Sequence, residues 1–115
     1  MYSLNKILRQ PYNDTMQYIL FKKVYMPLIR CGKKTSTIRV NCSVKEDSDI
    51  MFVSGQEKLQ VHINKIRKLS FTEITERVAR TDGFESKSHL INEIKKLYPE
   101  RNITQIYYIQ FCLKT

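Results

Sequence analysis

The chain contains no tryptophan, three glycines, three prolines, three cysteines and two histidines in 115 residues. So little glycine and proline excludes collagen-like and low-complexity sequence. With 42% hydrophobic and 27% charged residues, the composition is that of a globular protein. The length allows one domain around one hydrophobic core and is too short for two. No apolar run approaches the roughly 18 residues of a membrane span, and "MYSLNKILRQ" lacks the continuous apolar stretch of a secretory signal. A cytoplasmic protein without membrane partners is expected. Cys31, Cys42 and Cys112 are odd in number and widely spread, which suits neither a disulfide framework nor a CxxC pair, so they read as packing residues. His62 and His89 have no closely spaced Cys, His or carboxylate partners, so no metal and no cofactor is expected.

Acidic residues are also scarce. Twenty Lys and Arg against eleven Asp and Glu leave a formal charge of +9 and a pI near 9.6, which points to a polyanionic partner. The alternative is that excess lysine only maintains solubility. The bases cluster as Lys22, Lys23, Arg30, Lys33, Lys34 and Arg39, then Lys65, Arg67 and Lys68, then Arg77 and Arg80. The acids concentrate in "KEDSD" (45–49). Lys22, Lys23, Arg30, Lys65, Arg67 and Lys68 are the candidate nucleic-acid contacts. Seven tyrosines, Tyr2 and Tyr12 among them, supply rings on which single-stranded bases stack. Tyr108, opposite in parity to the expected core face of its strand, is the best stacking candidate, with core packing as its alternative.

The first 15 residues, with Pro11, Asn13 and Asp14 as a turn, read as a tail or added edge element, and residues 16–115 as one domain. "MQYILF" (16–21) reads as a strand. Tolerated only in a first turn, Pro27 starts a short helix at Tyr25 or Met26, and Gly32 ends it. A strand follows over 35–41, with Thr35, Thr37 and Arg39 on one face and Ser36, Ile38 and Val40 on the other, Ile38 and Val40 toward the core. "DIMFV" (49–53) reads as a strand buried on both sides, and "KLQVHINKI" (58–66) as a half-buried strand with His62 on its polar face. Thr75 caps a helix over 76–81 that Asp82-Gly83 stops. Ser86 or Ser88 opens a second helix carrying Leu90, Ile91, Ile94, Leu97 and Tyr98, and residues 104–114 form the last strand. This order implies an α+β fold with a mostly antiparallel sheet, closing into a small barrel, with one short helix after the first strand and two before the last.

"CGKKTSTIRV" (31–40) holds the densest chemistry. Lys33 and Lys34 fall where a helix gives way to a strand, Thr37 and Arg39 lie on one strand face roughly 7 Å apart, and Lys34 stands at the strand's entrance. Arginine offers a planar fork of donors, and a lysine whose pKa falls on burial acts as a base toward a neighbouring hydroxyl. The alternative is that the threonines are strand formers beside a solvated basic edge. No GxSxG, glycine-rich phosphate loop or HExxH is present.

Gly32-x-Lys34-x-x-Thr37-x-Arg39 resembles the GxKxxExR signature of the ASCH domain, a PUA-like β-barrel family, with threonine in place of the glutamate. The likeness runs from about Tyr18 to Leu113, and "LSFTEITERVARTDGFESKSHLINEIKKLYP" followed by "IYYIQF" resembles the family's second half. The threonine variant is similar to the small amidohydrolases that deacetylate N4-acetylcytidine with a lysine, a threonine and a glutamate. The resemblance implies Lys34, Thr37 and Asp82 in those roles, with Asp82 one methylene shorter than glutamate and Glu76 as the fallback acid. It also implies Arg39 holding the substrate or the oxyanion and RNA or a modified nucleoside as partner, and Gly32, Lys33 and Tyr108 are the further substrate-binding candidates. A non-catalytic RNA-binding module is the alternative, with a nuclease or a basic protein-interaction domain behind it.

Overall fold

The computed structural model describes residues 7–10 and 13–114. The expectations placed on residues 1–6, Pro11 and Tyr12, Tyr2 included, lie outside the described residues. The strands are β1 (Ile7–Gln10), β2 (Asn13–Leu20), β3 (Ser36–Arg39), β4 (Ser48–Ser54), β5 (Glu57–Ser70) and β6 (Gln105–Leu113). The helices are α1 (Met26–Arg30), α2 (Glu76–Thr81) and α3 (Lys87–Leu97). All six strands form one sheet in the order β1-β2-β4-β5-β6-β3.

Alternation of Leu59, Val61 and Ile63 starts β5, but the strand runs on through Lys65, Arg67 and Lys68 to Ser70. It does so because a register shift between Ile63 and Lys65 lets the ladder to β6 continue. The expected strand end near Ile66 is therefore corrected. Four neighbouring strand pairs are antiparallel, and β2 and β4 are parallel because α1 and β3 form the crossover between them. Among the described residues no ladder joins β1 to β3. The sheet is an open half-barrel rather than the closed barrel expected, with a seam where β3 ends it.

The expectation of a single core is also corrected, because the curved sheet separates two apolar clusters. One lies beneath the helices and unites Ile38, Leu69, Val78, Leu90, Ile94 and Ile106. The other gathers Ile19, Phe21, Met26, Ile50, Phe52, Val61 and Phe111. There Phe52 packs against Phe21 and Phe111 with ring centroids 4.4 and 4.7 Å apart. Both helices covering the first cluster begin on hydroxyl caps: Thr75 Oγ1 accepts from the Val78 N–H and Ser86 Oγ from the His89 N–H, each at 3.1 Å. Tyr25 packs against both clusters, which places its ring at the seam.

Two cysteines expected as packing residues, Cys31 and Cys112, are exposed, and Cys42 is half-buried. Among the described residues, no helix is long and apolar enough to cross a membrane.

Candidate functional site

Gly32 takes a φ of +83°, which a residue with a side chain adopts only with strain, and turns the chain from α1 toward β3. The Lys34 N–H then donates to the Leu28 carbonyl at 3.0 Å and the Thr35 N–H to the Thr81 carbonyl at 2.9 Å. These bonds pin the entrance of β3 between α1 and α2. Asp82 ends α2, with Gly83 behind it at a φ of +96°. Its carboxylate accepts the Ile38 N–H and ion-pairs with Lys34, whose Nζ also donates to the Asp82 carbonyl at 2.7 Å. Two residues along β3, Arg39 Nε donates to Thr37 Oγ1 at 3.1 Å and Arg39 Nη2 to the Leu20 carbonyl at 3.4 Å. The guanidinium lies 4.7 Å from the Phe21 ring centroid, and the Lys34 ammonium 5.1 Å from that of Tyr25.

Lys34, Thr37, Arg39 and Asp82 are 3%, 1%, 2% and 1% exposed, and they make up four of the six buried polar or charged side chains among the described residues. Buried polar groups require partners, and here they supply one another. Burial pushes Lys34 below the ordinary lysine range and Asp82 above the carboxylate range, while their mutual attraction opposes both shifts. Burial likewise lowers Arg39 to about 10 and raises the Tyr25 phenol to about 12, the latter helped by Asp82 and Glu93. Burial thus disfavours the charged form of each partner and enlarges the share of neutral amine on Lys34 and of protonated carboxyl on Asp82.

The structure brings Lys34 to Asp82 and Thr37 to Arg39. Among the described residues, no hydrogen bond joins Lys34 to Thr37 directly. Thr37 and Arg39 are not on a solvated face: all four residues of β3 are buried, because helices cover one side and the half-barrel interior the other. The Glu76 carboxylate accepts the Lys87 N–H at 3.1 Å, whereas the carboxylate paired with Lys34 is that of Asp82. Tyr108 is 4% exposed, with its hydroxyl 2.7 Å from Thr81 Oγ1. It presents no open ring face for stacking. The expected nucleic-acid contacts Lys22, Lys23, Arg30, Lys65, Arg67 and Lys68 are exposed, Arg30 being ion-paired with Glu57, and Lys33, expected at the substrate, is exposed too. Gly32 and Lys34 line a cleft of about 290 Å³ beside β6. The sequence did not single out Tyr25, because its spacing matched an apolar helix face. Among the described residues, no three His, Cys, Asp or Glu side chains form a group that could hold a metal.

Neither a protein-family model nor a curated protein matches the chain. Solved structures do. The ASCH domain from Lactobacillus crispatus superposes with a TM-score of 0.64 at 14% identity, over 78% of this chain and 70% of that one. The hypothetical protein PH0355 gives 0.66 at 20% identity, over 84% of this chain and 97% of its own. A mutant of ZmASCH from Zymomonas mobilis gives 0.60 at 14% identity, over 85% of this chain and 66% of that one. Identities this low speak to architecture alone, and by that measure the chain has the fold of an ASCH domain.

Proposed function

We propose that this chain is an ASCH domain that recognises RNA or a nucleoside at the seam of the half-barrel, and that its Lys34, Thr37, Arg39 and Asp82 deacetylate N4-acetylcytidine. The observation that carries the reading is the convergence of these four buried side chains from β3, its entrance and the end of α2. Evolution of a stable core favours replacing such groups with packed hydrocarbon, since a buried ion pair contributes little stability compared with an apolar substitute. The arrangement therefore speaks for a ligand.

In this reading Thr37 is the nucleophile. Arg39 Nε, already donating to Thr37 Oγ1, stabilises negative charge as it develops there. The Lys34 amine takes the hydroxyl proton as Oγ1 bonds to the acetyl carbonyl carbon. The carbon–N4 bond then breaks, with N4 receiving a proton from the Asp82 carboxyl, and cytidine leaves. Water hydrolyses the remaining threonine ester to release acetate. The cleft lined by Gly32 and Lys34 is the route by which a ligand reaches the lysine. Among the described residues Lys34 Nζ is directed to Asp82 and not to Thr37 Oγ1, which accepts from Arg39, and this favours the second reading, in which the seam only recognises its ligand.

The test of recognition is an NMR titration with cytidine and with N4-acetylcytidine. Saturable shifts at residues 34–39 and 82, absent in folded Arg39→Ala, are expected. Shifts confined elsewhere, or no saturation with either nucleoside, would refute the proposal.

A further inference from the structure

A cleft of about 460 Å³ opens beside Tyr108, which is the cross-strand partner of Ile38 and so stands on the sheet face opposite to Thr37 and Arg39. Its volume falls within the roughly 300–1,000 Å³ of small-molecule sites. Leu69 and Val78, both of the cluster beneath the helices, give it an apolar wall. Arg67 from β5, Arg77 from α2 and Glu73 also line it, and all three are exposed. The Ser70 N–H and hydroxyl, together with the Arg67 charge, hold Glu73 below the ordinary glutamate range. Two guanidiniums against one carboxylate therefore leave the cleft with one positive charge at neutral pH.

Proton accounting fixes what the buried hydroxyls offer. Thr81 Oγ1 donates its proton to the Val78 carbonyl at 2.9 Å, so its lone pairs receive the hydroxyls of Ser36 at 2.9 Å and Tyr108 at 2.7 Å. With its proton spent, the Tyr108 oxygen is an acceptor, next to Arg67, its partner across the β5–β6 ladder. The cleft thus combines two planar forks of donors, which match a carboxylate, with acceptors on Tyr108 and Glu73, which match an O–H. A phosphate dianion exceeds the single positive charge and has no apolar body to cover Leu69 and Val78. A carboxylic acid with a hydroxyl on an apolar body satisfies all of these groups.

We propose that this cleft is a second ligand site, for a small organic monocarboxylate that binds Arg67 and Arg77 through its carboxylate, covers Leu69 and Val78 with an apolar body and donates a hydroxyl hydrogen bond to Tyr108 or Glu73. Thr81 links the site to the seam. Its carbonyl accepts the Thr35 N–H at 2.9 Å, one residue after Lys34, and Asp82 directly follows it in the chain. A ligand on Tyr108 therefore bears, through Thr81, on both partners of the Lys34–Asp82 pair. The site stands apart from the function proposed above, and the failure of either leaves the other in place.

The experiment is an NMR titration of the chain with 4-hydroxybenzoate, with the uncharged 4-hydroxybenzamide and with benzoate, which lacks the hydroxyl. The wild-type chain should bind 4-hydroxybenzoate saturably with a Kd of about 1 mM or tighter, the amide at least about tenfold more weakly and benzoate about threefold more weakly. Arg67→Gln/Arg77→Gln should weaken 4-hydroxybenzoate binding about tenfold or more. Lys95→Gln/Lys96→Gln, which removes the same charge from exposed positions on α3, should stay within about threefold of wild type. Bound 4-hydroxybenzoate should shift the amide signals of Arg67, Arg77 and Tyr108 and, through Thr81, those of Lys34 and Asp82; in Thr81→Val the last two should no longer move. No saturation with 4-hydroxybenzoate, equal affinity for the amide, or an arginine variant that binds as tightly as the α3 variant overturns the site. Saturable binding that leaves Lys34 and Asp82 unshifted, or shifts there that persist in Thr81→Val, overturns the link to the seam.

Discussion

Replacing Lys34 with methionine keeps most of the side-chain volume and deletes the charge that faces Asp82. The carboxyl stays 1% exposed, with the Ile38 N–H and the more distant Arg39 as its remaining support. Breaking a buried pair from one side costs about 3–5 kcal/mol. Arg39 and the capacity of Asp82 to take up a proton put the expected loss at the lower end, about 3 kcal/mol, or a fall of roughly 12 °C in melting temperature. The pH dependence follows from the direction of the Asp82 shift. A carboxyl whose folded pKa is raised by burial contributes its stability below the unfolded pKa and loses it as pH rises through the folded one. The deficit of Lys34→Met should therefore be full at neutral pH and shrink as the solution is acidified toward the unfolded Asp value of about 4. Lys34→Met/Asp82→Leu removes both charges and should recover most of the loss. Urea unfolding followed by circular dichroism, at neutral and mildly acidic pH, measures all of this. A single variant within about 1 kcal/mol of wild type, or a double variant that loses as much again, would refute the argument.

Arg39→Lys should cut deacetylation at least about tenfold and destabilise the fold by about 1–3 kcal/mol, because an ammonium cannot reproduce the planar fork that serves Thr37 and Leu20 together; turnover and urea unfolding of the same preparation check both. On the surface, His62 bridges Asp49 at 2.7 Å and Asp47 at 2.9 Å, and these carboxylates raise its pKa, the Asp49 hydrogen bond most. Since the folded pKa is raised, the stabilisation is fully present below the unfolded value and disappears as pH rises through the folded one. His62→Gln should thus lower the melting temperature in mildly acid buffer and leave it unchanged at alkaline pH, and an NMR titration should place His62 above the ordinary histidine range.

The Lys34, Thr37 and Arg39 constellation was legible because a helix stop at Gly32 and two-residue strand spacing fix where those side chains fall, whatever encloses them. Asp82 came from a family resemblance; nothing local in "ARTDGF" says that its carboxylate meets a residue 48 positions earlier. Parity placed Ile38 in a core and Thr37 and Arg39 on the opposite face but left open whether that face was solvated, because alternation tells which residues share a face and not what covers that face. In β3 both faces are covered. The far half of β5 was hidden for a related reason: the register shift after Ile63 breaks the alternation, and the polar run Asn64, Lys65, Arg67, Lys68 conceals the strand. The burial of Tyr108 followed from the same limit, since its opposite parity marked a second core and not an open surface. The seam itself, where a half-barrel fails to close, is a property of the whole sheet.

The most direct measurement is cytidine release from N4-acetylcytidine, quantified by liquid chromatography with wild type and Thr37→Val side by side, each shown to be folded. The wild-type chain is predicted to release cytidine and acetate in equal amounts, and Thr37→Val to release neither. A wild-type protein that leaves the acetyl group in place, or a Thr37→Val variant that turns over at the wild-type rate, would contradict the assignment of Thr37 as nucleophile.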